Sequence, residues 1–385
     1  MSLGLYLHFP WCVRKCPYCD FNSHALRDEL PEDRYIDTLL ADVAAQAPRV
    51  AGRQVTSLFL GGGTPSLFGP ASLARLFAGL RRHLDIASDA EVTLEANPAT
   101  VERGRFAEYR DAGINRVSLG AQSFNDETLK VLGRIHQTSD VLRAAEELHA
   151  AGLSNFNLDL MYALPHQDVS GALDDLRQAV QLAPAHVSHY QLTLEPGTLF
   201  AAQPPPLPDD DVAWQMQLES QALLAGHGYA QYEVSAYARA GRQCRHNLTY
   251  WRFGDYLGVG AGAHGKLRSG ARVSRSTHLR EPRRYFASAA GGPEWRLVPE
   301  QDLPFEFMMN ALRLTEGFTE EEYLAATGRD FDPVRPRLEE LASGGLVQGG
   351  ADSGRWRTTA RGMQFLNEVL QRFLPEPETP AGARA

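Results

Sequence analysis

The chain has 385 residues, enough for more than one domain, and its 43% hydrophobic and 22% charged content is that of an ordinary globular protein. A formal net charge of −9 argues against a general grip on nucleic acid, which needs a basic face. Four cysteines are too few for a disulfide framework, and no uninterrupted apolar run reaches membrane-spanning length. The short apolar N-terminus lacks a basic leader and reads as no signal peptide, so a cytoplasmic protein is expected, with peripheral membrane contact left open.

Leu3 to Phe9 reads as a first strand. It runs into Cys12, Cys16 and Cys19, whose C-x3-C-x2-C spacing puts three thiols on one tight loop. A helix follows over 32–47, where Tyr35, Ile36, Leu39, Leu40 and Val43 recur at helical spacing. A short apolar strand over 55–60 ends in Gly61-Gly62-Gly63-Thr64-Pro65, and a helix spans 71–84. Further strands are predicted over 91–95, 115–119, 156–161 and 186–194. Helices over 100–112, 138–151 and 170–182 separate them, the first two stopping at Gly113 and Gly152. Six β–α units in series imply a parallel sheet with crossover helices, an α/β fold. Six fall short of the eight that close a (β/α)8 barrel, so an open partial barrel with a lateral cleft is expected.

Gln203 to Pro208 is a stiff proline linker, and Asp209-Asp210-Asp211 favours a helix over 210–226. Residues 228–290 look like irregular extension of the barrel. Helices over 303–313, 319–327 and 333–344, a hairpin from 344–347 and 355–358, and a helix over 361–373 describe an α+β module like a winged helix. Its glutamates Glu320, Glu321, Glu322, Glu339 and Glu340 favour packing or partner docking over DNA. The expected division is 1–202, 203–298, 299–375 and a disordered tail over 376–385.

Thiolates suit an iron–sulfur cluster, and three ligands on a four-iron cube leave one iron open to a small molecule. The competing reading is a structural zinc site completed by His8, His24 or Cys244. Gly61-Gly62-Gly63 lets main chain approach a ligand and offer N–H and C=O groups to it. It carries neither the G-x-G-x-x-G spacing nor a Walker lysine. Glu95, Gln122, Arg134 and Asp159 fall at or just beyond successive strand ends, where α/β folds build their sites. An arginine clamps carboxylates, and carboxylate and amide groups suit ribose and an amine; together they describe a pocket for a zwitterionic, adenosine-like ligand. In Arg245-His246-Asn247-Leu248-Thr249-Tyr250-Trp251, an imidazole beside two large aromatics suits haem iron and a flat macrocycle, or simply a core.

From Tyr6 to about residue 375 the chain resembles the radical S-adenosylmethionine (SAM) superfamily, and within it the oxygen-independent coproporphyrinogen III oxidase-like branch. The resemblance implies a partial (β/α)6 barrel in which Cys12, Cys16 and Cys19 hold a [4Fe-4S] cluster. SAM then chelates the fourth iron, and one electron from a donor such as flavodoxin or ferredoxin can cleave it to methionine and a 5′-deoxyadenosyl radical. It implies that Tyr6, Gly62 and Glu95 line SAM, with Tyr18, Gly63, Thr64, Gln122, Arg134 and Asp159 matching residues around the oxidase's two SAM molecules. Tyr190, Gln191 and Ala261 are further adenine-wall candidates.

One departure matters. Where the true oxidase has a further cysteine two residues after its third cluster ligand, this chain has Phe21. The C-P-Y-C-D-F-N-S-H run and the His246-Asn247-x-x-Tyr250-Trp251 motif are similar instead to the haem chaperone branch. Its members bind haem and pass it to acceptors such as respiratory haem proteins. The resemblance therefore implies haem contact at His246, Asn247, Tyr250 and Trp251, with His246 first and His24 second as iron ligand. The alternative it implies is oxidative decarboxylation of coproporphyrinogen III by radical chemistry.

Overall fold

The computed structural model describes residues 3–100, 105–350 and 354–375; the expected tail over 376–385 lies outside the described residues. The chain forms two compact units. The first comprises Met1–Thr249, Asp255–Lys266 and Ser276–Trp295, and the second Tyr250–Gly254, Leu267–Arg275 and Arg296–Ala385.

In the first unit, strands β1 (Leu3–Phe9), β2 (Gln54–Gly62), β3 (Asp85–Ala96), β4 (Arg116–Gln122), β5 (Phe156–Tyr162) and β6 (His186–Gln191) pair in parallel, each with the next. Helices α1 (Glu32–Gln46), α2 (Pro70–His83), α3 (Arg105–Ala112), α4 (Thr138–Ala150) and α5 (Val169–Gln181) make the crossovers. This is the expected α/β arrangement. On β1, Leu3, Leu5, Leu7 and Phe9 are fully buried, with Gly4, Tyr6 and His8 on the opposite face. Helix α1 buries Tyr35, Ile36, Leu39 and Val43, and α2 buries Leu73, Leu76, Phe77 and Leu80. Each such side chain contributes about 1.5–3 kcal/mol.

The segment expected to be irregular is built of regular elements. After α6 (Asp210–Gly226), strands β7 (Ala230–Glu233) and β8 (Ala236–Ala238) form a hairpin on β6. Helix α7 (Arg245–Trp251) leads to β9 (Asp255–Val259), which pairs in parallel with β1. The parallel run thus has seven strands, not six. With β10 (His264–Ser269), β11 (Arg272–Thr277) and β12 (Glu294–Leu297) the sheet order is β12-β11-β10-β9-β1-β2-β3-β4-β5-β6-β8-β7. Short strands separated by glycines and arginines carry little periodic signal, and only pairing with a formed sheet edge defines them.

One buried acid ties the return to α1. Asp42 is fully buried. Its Oδ2 accepts from the Tyr285 hydroxyl at 2.6 Å and the Gly260 N–H at 3.3 Å, and Oδ1 accepts from Gln46 at 2.8 Å. Burial raises its carboxyl to about 6.

The second unit packs Phe253, Leu303, Phe307, Phe318, Phe331 and Trp356 into one core. Helices Leu303–Ala311, Glu320–Thr327 and Arg335–Ser343 precede the pair Val347–Gln348 and Arg357–Thr358, in the expected order. Thr319 and Glu322 form a capping box and Gly328 a left-handed C-cap around the second helix. The expected last helix is instead two, Ala360–Gln364 and Leu366–Gln371, broken at Phe365 (φ −107°, ψ 39°). The observed division also differs from the expected one, because Tyr250–Gly254 and Leu267–Arg275 cluster with the C-terminal unit.

Asp42→Ala should destabilise the protein by about 1–3 kcal/mol, because the Tyr285 hydroxyl and the Gly260 N–H lose a buried acceptor. Asp42→Asn should cost less. Urea unfolding of both variants measures this.

Candidate functional site

The cysteine loop is short, and main-chain bonds fix it. Trp11–Cys12 pairs in parallel with His24–Ala25, closing its two legs. The Cys19 N–H donates to the Cys16 carbonyl at 3.2 Å, making a turn between two thiols. Across the loop, Lys15 Nζ donates to the carbonyls of Phe21 and Ser23 at 3.1 and 3.3 Å. Asn22 Nδ2 donates to the carbonyls of Ala261 and Arg280, both at 2.9 Å. His8 Nε2 lies 2.9 Å from the Asn22 carbonyl, and Tyr6 donates to His8 Nδ1 at 3.0 Å. With both its nitrogens engaged, His8 is a strut.

Cys12, Cys16 and Cys19 are free thiols, each partly exposed. Cys19 Sγ is 3.7 Å from Ser23 Oγ, and Arg134 Nη1 is 3.8 Å from Cys16 Sγ. Three soft donors on one loop beside a guanidinium suit a thiolate-bound cluster. Of the three partners expected for a zinc site, two are committed elsewhere, and only His24 keeps an unbonded ring nitrogen, Nε2. His8 is used up, and Cys244 is fully buried against Glu91 at 3.6 Å. Among the described residues no group of three or more His, Cys, Asp or Glu side chains converges on a single ion. A four-iron cube separates its ligands more widely than one ion does.

The glycine run serves the loop. Gly63 N–H donates to the Phe9 carbonyl and Thr64 N–H to the Trp11 carbonyl, both at 2.7 Å. A Cβ at Gly63 would sit 2.5 Å from the Trp11 carbonyl oxygen. Gly62, with φ +109°, donates to Glu95 Oε2 at 3.0 Å. Of the N–H groups expected to meet a ligand, those of Gly62 and Gly63 are spent within the protein.

The inner face of the sheet rises in layers set by strand register. Gly4, Ser57 and Glu91 share the lowest, then Tyr6, Phe59, Thr93 and Arg116, then His8, Gly61, Glu95, Ser118, Asn157 and His186. Above them lie Gly120, Asp159 and Ser188, and near the mouth Gln122 accepts from the Tyr190 hydroxyl at 2.9 Å. Asp159 accepts from Ser118 Oγ at 2.9 Å and Asn157 Nδ2 at 2.8 Å. Burial, then repulsion from Asp159, raises Glu95 to about 8; burial raises Asp159 too, while the Arg116 guanidinium draws both down. Two confined carboxyls of this kind favour a cationic ligand.

Gly62, Gly63, Thr64 and Glu95 therefore meet at adjacent strand ends beside the loop, with Tyr6 one layer below Glu95 and Asp159 one layer above it. Arg134 Nη2 donates to the Gly120 carbonyl at 2.7 Å, while its buried Nε has no partner. Burial raises the Tyr18 hydroxyl, which faces Arg134 and Cys16. Ala261 is fully buried, its N–H bonded to the Tyr35 hydroxyl at 3.1 Å. Gln191 is exposed. Sequence reasoning missed Arg116, Ser118, Asn157, His186 and Tyr232, which fill the interior. His186 bonds Asn157 at 2.7 Å and Tyr232 at 2.8 Å. The signal was present in polar residues at every second position of Arg116-Val117-Ser118 and Asn157-Leu158-Asp159.

His246 lies elsewhere. It is 1% exposed, 3.1 Å from Ser57 Oγ, and stacked on Phe59 at 5.2 Å, while its N–H donates to Glu91 at 3.1 Å. Burial holds its imidazole neutral, down to about 3. The ring expected to meet haem is packed into the core and closes the lower end of the barrel. Asn247, Tyr250 and Trp251 are half-buried, and the last two belong to the second unit, where Arg313 covers Trp251 at 4.4 Å. The second choice, His24, is half-buried with its Nε2 unbonded.

The radical SAM superfamily model matches residues 6–179, and the HemN C-terminal domain model matches residues 298–365. The structure is similar to the coproporphyrinogen III oxidase HemN of Escherichia coli, with TM-score 0.81 and 25% identity over 97% of this chain and 90% of that one. The chain thus has the fold and loop of a radical SAM protein, a class whose members hold a [4Fe-4S] cluster and SAM. It is 50% identical to the haem chaperone HemW of Escherichia coli over 97% of this chain and 98% of that protein. It is 48% identical to that of Haemophilus influenzae, with the same coverage. The chain belongs to the HemW family. No helix among the described residues is long and apolar enough to cross a membrane.

His246→Ala should lower the melting temperature through lost stacking and an opened core, costing about 1–3 kcal/mol, and leave haem affinity unchanged. Thermal unfolding read beside a haem titration tests both halves.

Proposed function

We propose that this chain is a haem chaperone on a radical SAM scaffold: it carries a [4Fe-4S] cluster, binds SAM and haem, and transfers haem to acceptor haem proteins, respiratory ones among them. The observation that carries the reading is the braced loop of three free thiols, in a chain half identical to HemW over its whole length. Cys12, Cys16 and Cys19 hold the cluster, and Arg134 beside Cys16 offsets its negative charge. Tyr6, Glu95 and Asp159 form the acidic wall for SAM, whose sulfonium and amine are cationic. Gly62, Gly63 and Thr64 act by pinning the loop to that wall, and Gln122 and Tyr190 close it. When bound, cluster and SAM supply one-electron chemistry; the protein's part is to orient them and keep water out. An electron donor such as flavodoxin or ferredoxin fits this scheme.

The second reading, coproporphyrinogen oxidation, draws on the likeness to HemN. Phe21 weighs against it: 62% exposed, it puts an apolar ring where the oxidase resemblance calls for a thiol. Anaerobic protein titrated with haem should give a saturable Soret change, with no protoporphyrinogen formed from coproporphyrinogen III in the presence of SAM and reductant. Absence of saturable binding, or clear turnover, overturns the first reading.

SAM affinity should depend on pH through Glu95. With its carboxyl near 8, the free pocket is largely protonated at pH 7, and a cationic ligand selects the ionised form. Affinity should therefore rise about tenfold from pH 7 to pH 9 and level off above, while Glu95→Gln flattens the profile. Calorimetric titration across that range measures it.

A further inference from the structure

A cleft of about 490 Å³ opens beside the cysteine loop, with Cys16 and Cys19 in its lining. Arg14, Lys15 and Lys130 supply cations, and Val131, Leu199 and Phe200 supply apolar surface. Its walls are fixed to the loop. The Phe200 N–H donates to the Pro17 carbonyl at 3.0 Å. Gly133, at φ +69°, passes so close that a Cβ would meet Pro17 Cδ at 2.8 Å. The size is that of a small-molecule site.

Its charge is at odds with the molecule's. The chain carries −9 overall, yet no carboxylate lines this cleft. Lys130 pairs at 2.6 Å with Glu127, an exposed residue outside the lining. Lys15 bonds only to the neutral carbonyls of Phe21 and Ser23, so its charge is not cancelled. Arg14 is exposed. The apolar wall is also unusual: Leu199 is 57% exposed and Val131 45%, with Val13 (47%) and Phe21 (62%) on the adjoining loop. Apolar side chains grouped around one cleft mark a binding surface.

We propose that this cleft is the haem site, the macrocycle lying on Val131, Leu199 and Phe200 with its two propionates directed to Arg14 and Lys15. The proposal rests on the haem reading above and moves the contact away from the 246–251 motif. A flat apolar ring with two carboxylates on one edge is the ligand chemistry that this pairing of surfaces fits. No histidine lines the cleft. Haem is held by its face and its propionates rather than by an imidazole on iron, an arrangement suited to a cargo that must leave.

The test compares haem with haem dimethyl ester on the full-length, cluster-reconstituted protein, in wild type and in Arg14→Glu, Leu199→Asp and Arg177→Glu. Arg177, on the exposed face of α5, is the control. Iron and sulfide content and thermal unfolding confirm that each variant keeps its cluster and fold. Arg14→Glu and Leu199→Asp should each weaken haem about tenfold, and Arg177→Glu should not. The ester should bind wild type about tenfold more weakly than haem, with no further loss in Arg14→Glu, and the bound spectrum should lack an imidazole-ligated signature. If wild type binds haem and both cleft variants bind it equally well, the location is wrong and the haem reading stands. If wild type does not bind haem, the reading itself fails. If the variants keep haem but lose cluster reduction by an acidic flavoprotein, the cleft is a docking surface for a protein, and the proposal is overturned.

Discussion

The site depends on one junction, where the end of β2 closes on the start of the cysteine loop. The N–H groups of Gly63 and Thr64 bond the carbonyls of Phe9 and Trp11, continuing the β1–β2 pairing beyond the strands themselves. A side chain at Gly63 would strike main chain at 2.5 Å, and main chain cannot swing aside as a flexible side chain can. Gly62, held at φ +109°, turns its own N–H to Glu95. A single glycine run thus sets the distance between the thiol loop and the acidic wall. The loop itself gains rigidity from bonds that arrive from far along the chain, Asn22 reaching Ala261 and Arg280.

The interior below that junction is polar to an extent unusual for a barrel core. Arg116 is 2% exposed, and its guanidinium stands among Glu91, Asp159, Tyr232 and Cys244. A buried cation there lowers the cost of holding Glu95 and Asp159 in one confined space. It does not remove that cost, since burial still dominates and both carboxyls remain raised. A pocket poised in this way gains most from a cationic occupant. The cleft lined by Arg14, Lys15 and Lys130 has no carboxylate in its lining, so it suits a ligand opposite in charge to the one that the acidic wall suits.

The C-terminal motif shows how far residue chemistry alone can carry. An imidazole beside a tyrosine and a tryptophan has the composition of a haem contact, and the same composition packs well in a core. The fold decides between them. Helix α7 places His246 against Gly4, Ser57 and Glu91, residues brought into one layer by strand register. Nothing within the seven-residue motif encodes that layer, because its members come from three strands distant in sequence.

By itself the sequence determined the parallel α/β order of β1 to β6, the crossover helices and the cysteine loop. In each, the deciding information is local: apolar periodicity, glycine stops and the spacing of three thiols. The helices expected over 32–47, 138–151 and 210–226 fall within a residue of Glu32–Gln46, Thr138–Ala150 and Asp210–Gly226. Only the tertiary structure decided that β9 extends the parallel sheet, that Arg134 stands beside Cys16, and that His246 is core. Each of these depends on partners more than a hundred residues away, as in Arg134 with Cys16, Ser57 with His246, and β1 with β9. Contacts at such separation form only when the whole sheet closes, and a reading of neighbouring residues has no access to them.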